Sequence, residues 1–330
     1  MPQHNRYIDI PSGTLMVVTD LHGDRAAFDR YVATFFSLYE HGEANRLIFL
    51  GDLLHGYGDE ADDASLYMIR RVMELQANYS ADTITMLLGN HELPHIYGVS
   101  LAKGDIEFTP RFERAMRGQR NEIIKFLKRL PFVVRTAAGV LLCHAGPDQN
   151  SINRITRLRT FDHDDLLRDA DDMLAAQANL DEVYQNYAEL SGASYADLAR
   201  EYLDVDGPND PRYPHLLRAL FISERDHRFA VLWDFLFTQN ERGMVPAAYE
   251  QIARRYLDAM SLGATYPQAV CVSGHITVPD GGYKVINDYH FRLASATHAT
   301  PREAGGYLLF DAQKPIKQAA DLVPHFHKVF

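Results

Sequence analysis

Three short apolar runs in the first hundred residues each break off into the same small set of polar residues, and this recurrence restricts the fold more than any other feature. Thr14-Leu15-Met16-Val17-Val18 leads into Asp20-Leu21-His22-Gly23-Asp24, Leu47-Ile48-Phe49-Leu50 into Gly51-Asp52, and Ile84-Thr85-Met86-Leu87-Leu88 into Gly89-Asn90-His91-Glu92. Apolar runs this short, without alternation, read as strands covered on both faces. An apolar stripe at Phe28, Val32, Phe35, Phe36 and Tyr39 separates the first two, and a helical stretch from about Leu66 to Leu75 the next two. Strands alternating with helices predict a parallel α/β core, and such a sheet binds ligands at the carboxyl ends of its strands.

The rest of the chain extends the pattern. A helix is predicted from about Pro110 to Leu130, its basic residues forming a solvated face around Phe112, Met116, Ile123 and Leu127. Strands at Phe132 to Arg135 and Val140 to Cys143 run into His144-Ala145-Gly146-Pro147. From about 150 to 237 strand character disappears and the chain becomes acidic, Tyr-rich and helical, as expected of an insertion within one catalytic domain spanning 1–330. Strands resume at Ala269 to Val272, Tyr283 to Ile286, Phe291 to Ala294 and Tyr307 to Phe310, predicting a second, mostly antiparallel sheet. The expected fold class is α/β: a two-sheet sandwich flanked by helices.

With 33 Lys plus Arg against 44 Asp plus Glu, the net charge of −11 argues against bulk nucleic-acid binding. Both cysteines, Cys143 and Cys271, lie inside apolar runs and read as buried core residues, which suits a reducing cytoplasm. Met1 to Arg6 are not followed by an apolar leader, and no run reaches the ~18 residues of a spanning helix, so a cytoplasmic chain without membrane contact is expected.

Asp20, His22, Asp52, Asn90, His144 and His275 all follow apolar runs. A set of carboxylates, imidazoles and one amide carbonyl, without thiolate, suits two divalent or trivalent ions of the Mn, Fe or Zn kind better than structural zinc. Paired ions activate water and clamp a phosphoryl group.

Asp20-x-His22, Gly51-Asp52, Gly89-Asn90-His91-Glu92, His144-Ala145-Gly146 and Gly274-His275, in this order, resemble the motif series of the calcineurin-like metallophosphoesterases. Within them the chain is most similar to the phosphoprotein (Ser/Thr) phosphatase branch, through Leu232-Trp233-Asp234, Asn240-Glu241-Arg242-Gly243, Ser295-Ala296-Thr297-His298 and Ala304 to Asp311. The resemblance implies a first metal on Asp20, His22 and Asp52, and a second on Asn90, His144, His275 and the bridging Asp52. It further implies His91 as general acid and Arg242 as the phosphate-holding guanidinium. The implied activity is phosphate-ester hydrolysis, as a phosphomonoesterase resembling Ser/Thr protein phosphatases and acting on a phosphorylated substrate, a phosphoprotein or a small phosphoester. A symmetrical dinucleoside polyphosphate hydrolase or other small-molecule phosphoesterase is the alternative, and a catalytically silent metal-binding scaffold the third reading.

The chain departs from the branch after Asp52. Where the branch has Gly-Asp-x-x-Asp-Arg-Gly, it reads Gly51-Asp52-Leu53-Leu54-His55-Gly56-Tyr57. Two repairs are open: His55 supplies positive charge, or one of Asp59, Glu60, Asp62 and Asp63 folds back to support His91. Thr277 stands where many superfamily members carry a further metal-binding histidine, and Thr19 where glycine is usual.

Overall fold

A computed structural model describes residues 5–330; Met1 to His4, part of the segment read above as lacking a leader, lie outside the described residues. The strands are β1 (Tyr7–Ile10), β2 (Thr14–Val18), β3 (Arg46–Phe49), β4 (Ile84–Met86), β5 (Ala102–Lys103), β6 (Ile106–Glu107), β7 (Val133–Thr136), β8 (Val140–Cys143), β9 (Val270–Ser273), β10 (Tyr283–Asn287), β11 (His290–Leu293), β12 (Gly306–Asp311) and β13 (Phe326–Lys328). The helices used below are α1 (Arg25–Glu40), α2 (Ser65–Tyr79), α3 (Leu93–Tyr97), α4 (Phe108–Ala115), α5 (Arg120–Leu127), α6 (Ile155–Arg159), α7 (His163–Ala175), α8 (Leu180–Ser191), α9 (Tyr195–Leu203), α10 (His215–Arg225), α11 (His227–Phe237), α12 (Asn240–Gly243) and α13 (Pro246–Met260).

The chain forms two compact units. The first comprises residues up to His91, Arg129–Phe161 and Val231–Phe330. One of its sheets has the order β13-β12-β2-β3-β4, with β2, β3 and β4 parallel. The other has the order β1-β7-β8-β9-β11-β10. Leu15, Val17 and Ile48 pack in one cluster with Leu142, Val270, Val272, Phe291 and Leu293, so the inner faces of the two sheets share a core. Each such side chain, fully buried, contributes about 1.5–3 kcal/mol. The outer face of the first sheet is covered as well: Phe49 of β3 stacks on Phe28 of α1 at 5.6 Å between ring centroids. Burial on both faces accounts for the unbroken apolar runs.

The second sheet is mixed rather than mostly antiparallel. β8, β9 and β11 run parallel, and β1 runs parallel to β7, while the antiparallel pairs are β7 with β8 and β10 with β11. Tyr307 to Phe310 belong to the first sheet, where β12 pairs antiparallel with β2. Apolar patterning marks a strand and its buried faces, but it does not name the neighbour. Cys143 and Cys271 are buried on adjacent strands with their Sγ atoms 3.5 Å apart.

The second unit comprises Glu92–Lys128 and Asp162–Ala230. The single helix expected over 110–130 is two, α4 and α5, because Gly118 takes a left-handed φ of +82° that ends a helix. Arg120, expected on a solvated face, instead pairs with buried Glu113, 2.6 Å from Nε to Oε2. Leu174, Ala199, Leu203, Leu216, Leu217 and Phe221 form a separate core around Tyr195, whose ring meets those of Tyr184 and Tyr213 at 4.3 and 4.9 Å. Most of the acidic run 162–172 is engaged within this unit. Asp162 caps α7, Asp164 pairs with Lys128, Asp169 with Arg228 at 2.8 Å and Asp171 with Arg218 at 3.4 Å. From 150 to 237 the described elements are all helical. Among the described residues, no helix is long and apolar enough to cross a membrane.

Candidate functional site

Asp20 and His22 follow β2, Asp52 follows β3 and Asn90 and His91 follow β4, while His144 follows β8 and His275 follows β9. The site therefore draws on the carboxyl ends of parallel strands from both sheets of the first unit. The turns carrying these residues are sharp. His22, Asp52, His55 and His275 have φ of 40°, 53°, 72° and 66°, four of the six non-glycine residues in the left-handed region among those described. Such conformations concentrate where surrounding structure holds them for function.

The donors converge in overlapping groups. Asp52, His144 and His275 form one, His22, Asp52 and His91 another, and Asp20, His22 and His298 a third, with the ligand atoms of each group within 4.8 Å of one another. His144 Nδ1 donates to the Leu50 carbonyl at 2.9 Å. Burial first of all holds its pKa at about 4, so the ring is neutral and Nε2 presents a lone pair. That lone pair lies 2.7 Å from Asn90 Oδ1 and 3.4 Å from Asp52 Oδ2. His275 Nδ1 is 2.8 Å from the same Asn90 oxygen, and its buried Nε2 has no hydrogen-bond partner. Burial, with His144 and Arg292 nearby, pushes the His275 pKa well below the ordinary range. Acceptor atoms facing one another in a buried site are the donor set a cation requires, so these residues fit metal ions.

Asp52 is almost fully buried. Its Oδ1 accepts the His91 backbone N–H at 2.9 Å, while Oδ2 faces His22 and His91 Nε2, each at 3.9 Å. Asp20 accepts the His275 backbone N–H on both oxygens, at 3.0 and 2.9 Å. Gly274 makes this approach possible: a Cβ there would lie 2.0 Å from Asp20 Oδ2 and 2.8 Å from Thr19 Cβ. Gly274→Ala should therefore displace Asp20, destabilise the fold by about 1–3 kcal/mol and weaken Mn uptake. Wild-type melting and wild-type Mn titration together would contradict this account. Thr19 also has a function in place, since its Oγ1 accepts the Ser295 N–H at 3.1 Å.

His55 meets His91 directly, Nδ1 to Nδ1 at 2.9 Å. Of the four acidic residues offered as the alternative repair, Asp63 is committed to the loop itself. Asp63 folds back onto the backbone N–H groups of Gly56 and Ser65, at 3.1 and 2.9 Å, and Ser65 Oγ accepts the His55 N–H at 2.7 Å. Asp63 thus holds the loop that presents His55.

Arg242 is exposed on the short helix α12, its Nη2 donating to Thr277 Oγ1 at 3.4 Å, two residues beyond His275. Its neighbours fix the turn: Asn240 Nδ2 donates to Asp148 Oδ1 at 3.0 Å, and Glu241 pairs with Arg292. Sequence reasoning missed Arg292, which is buried and donates to the carbonyls of Ala145 and Gly274, adjacent to His144 and His275. It also missed Tyr57, whose hydroxyl lies 3.1 Å from His22 Nε2, and His298. The available signal for His298 was its place after the apolar run of β11, the same context as the other donors.

No curated protein matches the chain. Among solved structures it is similar to a protein serine/threonine phosphatase from Saccharomyces cerevisiae with similarity to human phosphatase PP5, at 14% identity over 93% of this chain and 77% of that chain, with a TM-score of 0.49. It is also similar to a metallophosphoesterase from Sphaerobacter thermophilus, at 12% identity over 94% and 90% of the two chains, with a TM-score of 0.34. The family model of calcineurin-like phosphoesterases matches residues 13–212, well over half of the chain. With that match and the clustered Asp, His and Asn donors at the strand ends, the chain belongs to the calcineurin-like phosphoesterases, metal-dependent hydrolases of phosphate esters.

Proposed function

We propose that the chain is a dinuclear phosphomonoesterase of the Ser/Thr protein phosphatase type. The observation that carries this reading is the overlap of donor groups at Asp52. Asp52 Oδ2 lies 3.9 Å from His22 Nε2 and 3.4 Å from His144 Nε2, members of two different donor groups, so this one carboxylate would be shared between two ions. Asp20, His22 and Asp52 would hold the first ion, and Asp52, Asn90, His144 and His275 the second. When bound, the ions supply activation of the attacking water and neutralisation of phosphoryl charge.

The chain's own residues do the rest. His91 in its protonated form donates Nδ1–H to His55 Nδ1 and holds its second proton on Nε2, the nitrogen facing Asp52. Two N–H groups cannot face each other at 2.9 Å, so whenever His91 carries the proton His55 accepts it through Nδ1. Burial first, then the rings of His22 and His55, push the His91 pKa down, so the acid role needs the negative charge of a bound phosphate beside the ring to hold the proton. Arg242 holds phosphate oxygens at the solvent-exposed edge.

The test is phosphate release by chelated protein resupplied with Mn, on an aryl phosphate, a phosphopeptide and a dinucleoside tetraphosphate. Mn-dependent release from the first two is expected. A dinucleoside tetraphosphate turned over fastest would move the substrate assignment to nucleotides. Two Mn bound with no turnover on any of the three would overturn the enzyme reading in favour of a scaffold.

A further inference from the structure

We infer that His298 is an additional ligand of the first metal site, supplying from the end of β11 the imidazole that Thr277 does not provide. This deepens the dinuclear reading above and rests on it.

His298 is 5% exposed, and its Nε2 lies 3.0 Å from His22 Nε2. His22 Nδ1 is committed to the Leu54 carbonyl at 3.1 Å, so its Nε2 carries a lone pair directed at the His298 ring. Nδ1 of His298 is 3.6 Å from Asp20 Oδ1. Asp20, His22 and His298 thus form a closed group of two imidazoles and a carboxylate, the donor mixture that Mn, Fe and Zn accept. Asp20 is fully buried, and a buried carboxylate needs compensating charge or hydrogen bonds.

The loop carrying His298 is tied to the segment carrying the other two donors. Ser295 N–H donates to Thr19 Oγ1 at 3.1 Å, Ser295 Oγ to the Asp20 carbonyl, and Thr297 Oγ1 to the Leu21 carbonyl at 3.3 Å. The His298 carbonyl accepts the Val278 N–H at 2.8 Å, which joins it to the strand end that presents His275. Two segments from opposite ends of the chain are therefore held in fixed register. Preorganisation of this kind is what ligand geometry requires. β11 runs parallel to β9, so His298 leaves its strand at the same edge as His275.

The experiment is Mn titration of the apo protein by calorimetry, comparing wild type, His298→Asn and His144→Ala. Wild type should take up two equivalents. His298→Asn should weaken one of them by at least about tenfold, and His144→Ala should weaken the other. Two equivalents at wild-type affinity in His298→Asn would overturn the inference. If wild type itself takes up fewer than two, the dinuclear reading fails instead, so the two failures are distinguishable. A measurement without substitution guards against misfolding: in ring-15N spectra of wild-type protein titrated with Zn, the His298 and His22 nitrogens should move together into the metal-bound range. A His298 signal that stays in place while His22 moves would equally overturn the assignment.

Discussion

Asp52→Asn is expected to abolish phosphate release while leaving the apo protein as stable as wild type or more so. The carboxylate stands at the overlap of the donor groups, with Oδ2 between the nitrogens of His22, His91 and His144. An amide there loses one oxygen and its negative charge, and so can no longer bridge two cations. Metal stabilisation of phosphoryl charge is worth several kcal/mol, and each ~1.4 kcal/mol is tenfold in rate, so the loss should reach at least about a thousandfold in kcat/KM. Stability should move the other way. In the metal-free protein Asp52 is about 1% exposed, beside the His91 and His144 rings that burial keeps uncharged, and replacing it by an isosteric neutral group removes a desolvation cost. Thermal unfolding of the apo variant and steady-state kinetics with Mn check both halves. A large fall in melting temperature would mean that Asp52 is a structural residue.

His91→Asn should separate substrates by leaving group. If His91 protonates the departing oxygen, an alkyl phosphate loses about 10²–10⁴-fold in rate, whereas an aryl phosphate, whose phenolate leaves without a proton, loses far less. Equal losses on both would sink the acid assignment. The His55 contact extends the test. His55 is among the groups that hold the His91 pKa down. His55→Asp would put a carboxylate against the same Nδ1 and raise it. Because the acid must be protonated, activity on alkyl phosphates falls as pH rises through that pKa, so the basic limb of the pH–rate profile should move to higher pH in His55→Asp.

Much of this site was legible in the sequence because each donor proposed to hold metal follows an apolar run, and such runs are strands whose ends gather at one edge of a sheet. Asp20, Asp52 and Asn90 could be placed together because β2, β3 and β4 are consecutive parallel strands joined by helices. His298 could not. Its strand follows a tight hairpin from β10, and nothing local shows that β11 turns to run parallel to β9. The contact of His55 with His91 was also beyond reach, since it depends on Asp63 and Ser65 pinning the loop after Asp52. The break between α4 and α5 was written in Gly118, but an apolar stripe continuing across the glycine concealed it.

The backbone at the site has a consequence for how this chain tolerates change. His22, Asp52, His55 and His275 all hold a conformation that L-residues enter at a cost of roughly 1–2 kcal/mol each, and glycine enters freely. Judged by backbone comfort alone, glycine is the better residue at all four positions, and each replacement would relax the local turn while deleting a nitrogen or a carboxylate from the cluster. Selection for thermal stability therefore pulls against selection for turnover at these four residues. Glycine at any of the four would ease the local backbone and leave the cluster without one of its donors.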